Sequence, residues 1–111
     1  MEIKSHHFAK HSVMRLSGEI DLFNVEELKR EFRIFQTTGI KNIGIDLLDV
    51  SYIDSSGLGV LISIMTELKK NGGKLLLFNL SESVKTVLKL TKLSAFFCIA
   101  DQEEEKIAAL F

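Results

Sequence analysis

The chain has 111 residues, enough to enclose one hydrophobic core and too few for two, so residues 1–111 read as a single domain. Hydrophobic residues make up 46% and charged residues 26%, the balance of a folded domain rather than a disordered tail or a disulfide scaffold. The 14 Lys+Arg against 15 Asp+Glu leave a net charge of −1, which offers no basic field to a nucleic-acid backbone and argues against nucleic acid as a direct partner.

No run approaches the roughly 18 apolar residues of a membrane span, and the first twenty residues carry His, Lys, Glu and Asp where a signal peptide needs an apolar centre. Membrane insertion is not expected, and the cytoplasm is the expected compartment. The single cysteine, Cys98, lies in the apolar run Phe96-Phe97-Cys98-Ile99-Ala100 and reads as a core residue. Proline is absent, so tight turns fall to Gly, Asn, Asp and Ser.

Residues 3–8 and 13–16 read as two short strands, a hairpin closed by Gly18. From Asn24 the pattern changes to Val25, Leu28, Phe32 and Phe35, one apolar stripe of an amphipathic helix. Asn24 with Glu27 has capping-box spacing, Phe23 with Leu28 has the spacing of a hydrophobic staple, and Gly39 supplies the stop. Ile43, Ile45 and Leu47 alternate with Gly44 and Asp46 in a strand that runs on to Ile53 and the polar turn Asp54-Ser55-Ser56-Gly57. The helix that follows carries Leu58, Val60, Leu61, Ile62, Ile64, Met65 and Leu68, too many apolar residues for one exposed side, and is expected to be largely covered. Asn71-Gly72-Gly73 ends it. Leu75-Leu76-Leu77-Phe78 is a continuous apolar run, as in a parallel strand buried on both faces. Ser81 opens a short helix with Val84, Val87 and Leu88, residues 96–99 form a further strand, and Asp101 with Glu104 marks the start of a last helix. Strands alternating with helices imply parallel neighbours and right-handed crossovers, so the expected fold is α/β: a mixed, mostly parallel sheet with an N-terminal hairpin and about four α-helices packed on it.

The densest polar cluster, Asp54-Ser55-Ser56-Gly57-Leu58-Gly59, falls at a strand's carboxyl end and a helix start, where open α/β sheets place their ligands and reactive groups. Backbone N–H groups there lack intrahelical partners, and the helix end favours an added anion, such as a phosphate on Ser55 or Ser56. The structural reading of the same residues is that Ser55 or Ser56 caps the helix while both glycines allow a tight turn and close packing on the sheet. No Gly-Lys-Ser or Gly-Lys-Thr supports a P-loop. A serine hydrolase is disfavoured because every histidine falls in the first eleven residues and no Gly-x-Ser-x-Gly elbow is present. His6, His7 and His11 lack the ligand spacing of a metal site and read as surface histidines. Neither a metal nor another cofactor is expected.

Gly18-Glu19-Ile20-Asp21, the stretch Tyr52-Ile53-Asp54-Ser55-Ser56-Gly57-Leu58-Gly59-Val60-Leu61, and Asn71-Gly72-Gly73-Lys74 before a buried strand together resemble the STAS domain, and within it the bacterial anti-sigma factor antagonists. The resemblance runs over nearly the whole chain in the same element order. It implies a non-enzymatic switch. The unphosphorylated protein would bind an anti-sigma factor that is a serine kinase with a histidine-kinase-like ATPase fold, freeing a sigma factor. Phosphorylation of Ser55, with Ser56 as a lesser acceptor, would release it, and a metal-dependent serine phosphatase would reset it.

The resemblance places the partner surface around the serine turn, on the Gly18–Asn24 loop, the turn itself and the exposed start of its helix. Glu19, Asp21, Asn24, Asp54, Ser55, Ser56, Gly57 and Leu58 are its residues, and the precedent is a monomer. Glu19 and Asp21 have a plainer role open to them, a solvated turn in which Asp21 orders the next helix. A second reading from the same resemblance is a stand-alone STAS subunit that regulates or assembles a membrane transporter. It is disfavoured by the intact serine turn. A receiver-like phospho-aspartate protein using Asp54 does not fit the hairpin start.

Overall fold

The structure is a computed structural model that describes residues 1–100 and 107–111 in full and the backbone of residues 104–106. In chain order the elements are β1 (Glu2–His7), β2 (Ser12–Ile20), α1 (Val25–Thr37), β3 (Asn42–Ile53), α2 (Ser55–Lys70), β4 (Lys74–Phe78), α3 (Glu82–Leu90), β5 (Cys98–Ala100) and a closing 3₁₀ helix (Glu104–Leu110). The strands form one sheet in sequence order, with β1 antiparallel to β2 and every later pair parallel. The expected α/β sheet with its hairpin is therefore present. It carries three α-helices, and the fourth expected helix is instead 3₁₀ in the described residues. The expected Asp101–Glu104 capping box lies outside them. No helix among the described residues is long and apolar enough to cross a membrane.

The alternation in β3 divides the molecule into two faces. Ile43, Ile45 and Leu47 point to the helix side, where they join Leu28, Phe35, Leu61, Ile64, Leu77, Val84 and Leu88 in the main core. Gly44 and Asp46 point to the other side, which the 3₁₀ helix covers through Ile107 packed on Val13, Leu76 and Phe78. Gly44 leaves room for this packing, since a Cβ there would lie 2.8 Å from Ile107 Cδ1 and 3.2 Å from Phe78 Cε1 and would push those side chains aside. Asp46 is buried yet satisfied: its Oδ1 accepts from Leu48 N (3.0 Å), and its Oδ2 accepts from Arg15 Nε and Asn79 Nδ2 (both 3.3 Å).

Ser12 pairs with Ile43 and Ile20 with Ile53, so eight steps of β2 run beside ten of β3, and the pairing shifts register twice. The extra β3 residues are bulges, which break the alternation at Leu48–Asp49 and bend the strand. Ser81 fastens the outer side of this bent segment, donating from Oγ to Val50 O (2.6 Å) and from its backbone to Leu47 O (3.3 Å) while capping α3 through Val84 N.

Two side-chain placements depart from the sequence reading. Cys98 is exposed rather than core, because β5 is a three-residue edge strand with a neighbour on one side only. His11 is buried rather than on the surface, stacked between Phe8 (4.6 Å between ring centres) and Phe111 (5.0 Å). His7 takes a polar partner, with Nδ1 2.8 Å from Ser12 Oγ, and sets its ring edge-on to Phe35.

The α2 helix ends as its Asn71-Gly72-Gly73 suggests. Gly72, at φ +81°, donates to Lys69 O, and Gly73 donates to Leu68 O (2.7 Å), which closes a Schellman motif. A Cβ on Gly73 would fall inside the backbone of Lys41, whose carbonyl accepts from Lys74 N, so this turn is held against the start of β3. Gly59 differs: it is exposed, helical, and a Cβ there would meet nothing. Gly73→Ala is expected to cost about 2–3 kcal/mol, whereas Gly59→Ala should be neutral or add up to about 1 kcal/mol. Denaturant unfolding of both variants checks the contrast.

Candidate functional site

β2 and β3 end side by side, and their carboxyl ends are joined by a hydrogen bond from Asp54 N to Ile20 O (3.1 Å). Asp54 then turns the chain into α2. Its backbone is extended (φ −103°, ψ −175°), its carbonyl accepts from Leu58 N (3.0 Å), and its carboxylate bridges two elements. Oδ1 accepts from Gly57 N (2.9 Å), capping α2, and Oδ2 accepts from Leu22 N (3.2 Å), holding the loop between β2 and α1.

The cap of α2 is thus Asp54, not Ser55 or Ser56. An Asp residue one position earlier already has the extended conformation that an N-cap needs. Ser55 is left at the first helical position and exposed, with Ser56 half-buried behind it. The two glycines also divide in role. A Cβ at Gly57 would stand 2.7 Å from Ile20 O and 2.8 Å from Ile53 Cγ1, so Gly57 is what lets the first turn of α2 lie on both strand ends, whereas Gly59 serves no packing purpose within the chain.

The β2–α1 loop is ordered by its own polar residues. Asp21 Oδ1 accepts from Phe23 N (3.0 Å), Asp21 O accepts from Asn24 N and Val25 N (both 3.0 Å), and Asn24 Nδ2 donates to Glu19 O (2.7 Å). The expected capping box and staple are therefore not formed. Asn24 is already helical (φ −108°, ψ −18°) and makes no side-chain cap bond, because Asp21 has begun the turn and the Asn24 amide reaches backward. Phe23, instead of stapling onto buried Leu28, is 89% exposed.

The residues named from sequence thus meet at one corner. Glu19 is exposed, Asp21, Asn24 and Asp54 brace the loop and helix, and Ser55 stands outside. Gly57 and Leu58 lie inside, where they shape the corner without forming its surface. Leu22 (66% exposed) and Phe23 lie within the Gly18–Asn24 loop expected at the partner surface, but neither they nor Tyr52 (50%), which pairs in register with Glu19, are marked individually by the sequence as exposed side chains. Consecutive apolar residues in a loop hold no periodicity that would mark them.

Chemically, the corner offers an exposed hydroxyl at the amino end of a sixteen-residue helix with no acidic residue in its first turn. The carboxylate of Asp54 belongs to the preceding residue, and Asp21 and Glu19 lie on the adjoining strand end and loop that Asp54 ties to α2. A phosphoryl group could be accepted there, and its charge would be both attracted by the helix and opposed by its neighbours.

A family model described as the STAS domain matches residues 2–106. The chain belongs to the STAS domain family. Among curated proteins this STAS domain is 33% identical over 90 residues to the anti-sigma-B factor antagonist of Listeria monocytogenes, covering 81% of this chain and 79% of that one. It is 35% identical over 91 residues to the anti-sigma-B factor antagonist of Bacillus subtilis, covering 82% and 83%. Among solved structures it is similar to the anti-sigma factor antagonist SpoIIAA in its unphosphorylated form (TM-score 0.79, 25% identity, 98% of this chain and 96% of that one). It is likewise similar to the Bacillus cell fate determinant SpoIIAA in the phosphorylated form (TM-score 0.75, 27% identity, 99% and 100%).

Replacing Asp54 tests whether one carboxylate holds both elements. Asp54→Ala should cost about 1–2 kcal/mol and speed exchange of the Leu22 and Gly57 amides together. Asp54→Ser keeps an N-cap acceptor but not the reach to the loop. It should recover most of the stability and protect Gly57 again while Leu22 stays fast, as read by amide hydrogen exchange.

Proposed function

We propose that this STAS domain is an anti-sigma factor antagonist switched by phosphorylation of Ser55. In this reading the unphosphorylated chain, as a monomer, binds an anti-sigma factor that is a serine kinase of histidine-kinase-like ATPase fold, and so frees a sigma factor. The kinase phosphorylates Ser55, with Ser56 as a lesser acceptor, and a serine phosphatase removes the group. The chain itself catalyses nothing.

The observation that carries this reading is the division of labour at the corner. Because Asp54 caps α2, Ser55 is not needed by the fold and stands exposed at the helix start. The curated relatives named as anti-sigma-B factor antagonists and the two forms of SpoIIAA support it. A phosphate adds about −1.5 to −2 charge next to the Asp54 carboxylate. At a covered interface that charge must be desolvated beside a like charge, and the end of α2 offsets only part of the cost. The bound state is weakened with no refolding required. A coupling of a few kcal/mol, about a hundredfold in affinity, suffices for a switch.

Incubation with the cognate kinase and ATP, followed by intact mass, should show stoichiometric phosphate on the wild type and at most a small substoichiometric fraction, on Ser56, in Ser55→Ala. Thermal unfolding of Ser55→Ala should match the wild type, because Asp54 and not Ser55 caps α2. Ser55→Asp should bind the kinase about a hundredfold more weakly. Stoichiometric phosphorylation of Ser55→Ala, or wild-type affinity of Ser55→Asp, would contradict the assignment.

A further inference from the structure

Folding does not account for two side chains at the corner. Leu22 is 66% exposed and Phe23 89% exposed, although both occupy an ordered loop. Single exposed apolar residues are ordinary on a protein surface. These two are consecutive, and the loop that presents them is fixed at both backbone amides, Leu22 N by Asp54 Oδ2 and Phe23 N by Asp21 Oδ1. Polar groups thus hold the backbone while the apolar side chains project. That is a preorganised contact surface, since little conformational freedom remains to be lost on docking.

We propose that Leu22 and Phe23 are the apolar anchor by which the corner docks on the kinase that phosphorylates Ser55. The proposal rests on Ser55 being the phosphoacceptor. A specific interface covers about 800 Å² of each partner, far more than one serine offers. The Asp54 carboxylate reaches both the first turn of α2 and Leu22 N, so an enzyme seated on Ser55 also covers this loop. Asp21 and Asn24 flank the apolar pair in sequence, with Glu19 two residues before Asp21, giving the arrangement of an aromatic anchor within a polar rim.

A second copy of the chain fits less well. A two-fold interface is isologous and would set Glu19, Asp21 and Asp54 of one protomer near the same carboxylates of its partner.

Leu22→Ser, Phe23→Ser and the double substitution remove apolar surface that is already exposed, so their thermal unfolding should match the wild type. Titration against the cognate anti-sigma factor kinase should show affinity falling about 30-fold in the double variant, with Phe23→Tyr restoring most of it. Steady-state phosphorylation should show the loss chiefly in KM. Wild-type affinity in the well-folded double variant overturns the anchor while leaving Ser55 as acceptor. A wild-type dimer that the double variant dissociates, with kinase affinity unchanged, also overturns it in favour of self-association. Failure of the kinase to phosphorylate wild-type Ser55 overturns both readings.

Discussion

The corner depends on one carboxylate. Asp54 sits where two parallel strands end, and its two oxygens satisfy donors from different elements, one in the first turn of α2 and one in the loop leading to α1. A helix start otherwise leaves backbone donors without partners, and a loop that crosses strand ends needs an acceptor to fix it. By meeting both needs, Asp54 places the loop and the helix in one rigid unit and leaves the next residue, Ser55, with no structural duty. A modification there can change what the surface binds at little cost to what the chain folds into.

The sheet brings Asp54 to that point. Two bulges in β3 let ten steps of strand run beside eight of β2, so that Ile53 still meets Ile20 while the intervening segment bends. Asp46 holds the first irregularity, bonding Leu48 N within it and tying in Arg15 and Asn79. At the far end Gly57 allows α2 to settle within contact of Ile20 and Ile53. The main core lies on the helix side, and the Ile107 cluster closes the opposite face. Neither core contributes to the corner's outer surface, so core and surface can respond separately to substitution.

Much of this was legible in the residues. Alternation at Ile43, Ile45 and Leu47, the unbroken Leu75–Phe78 run and the helical stripe of Val25, Leu28, Phe32 and Phe35 set the element order, because burial imposes its period on sequence. The Asp-Ser-Ser-Gly turn marked the corner. Which acceptor caps was not legible, since Asp54, Ser55 and Ser56 are all capable and the choice follows from a hydrogen bond to Ile20, distant in sequence. For the same reason Asn24 looked like a cap although Asp21 starts that turn. The burial of His11 needs Phe111 from the other end of the chain, and the exposure of Cys98 depends on β5 being an edge. Phe23 had the spacing of a staple, and only the geometry of the loop turns it outward.

The central claim, that the Asp54 corner is the surface a partner covers, is tested most directly by amide hydrogen exchange of the intact chain with and without its cognate kinase. The account predicts slowed exchange concentrated at residues 19–24 and 54–59, and loss of that footprint once Ser55 is phosphorylated. A footprint on the β1 or β5 edge, or on the face covered by Ile107, with the corner unchanged, would contradict it.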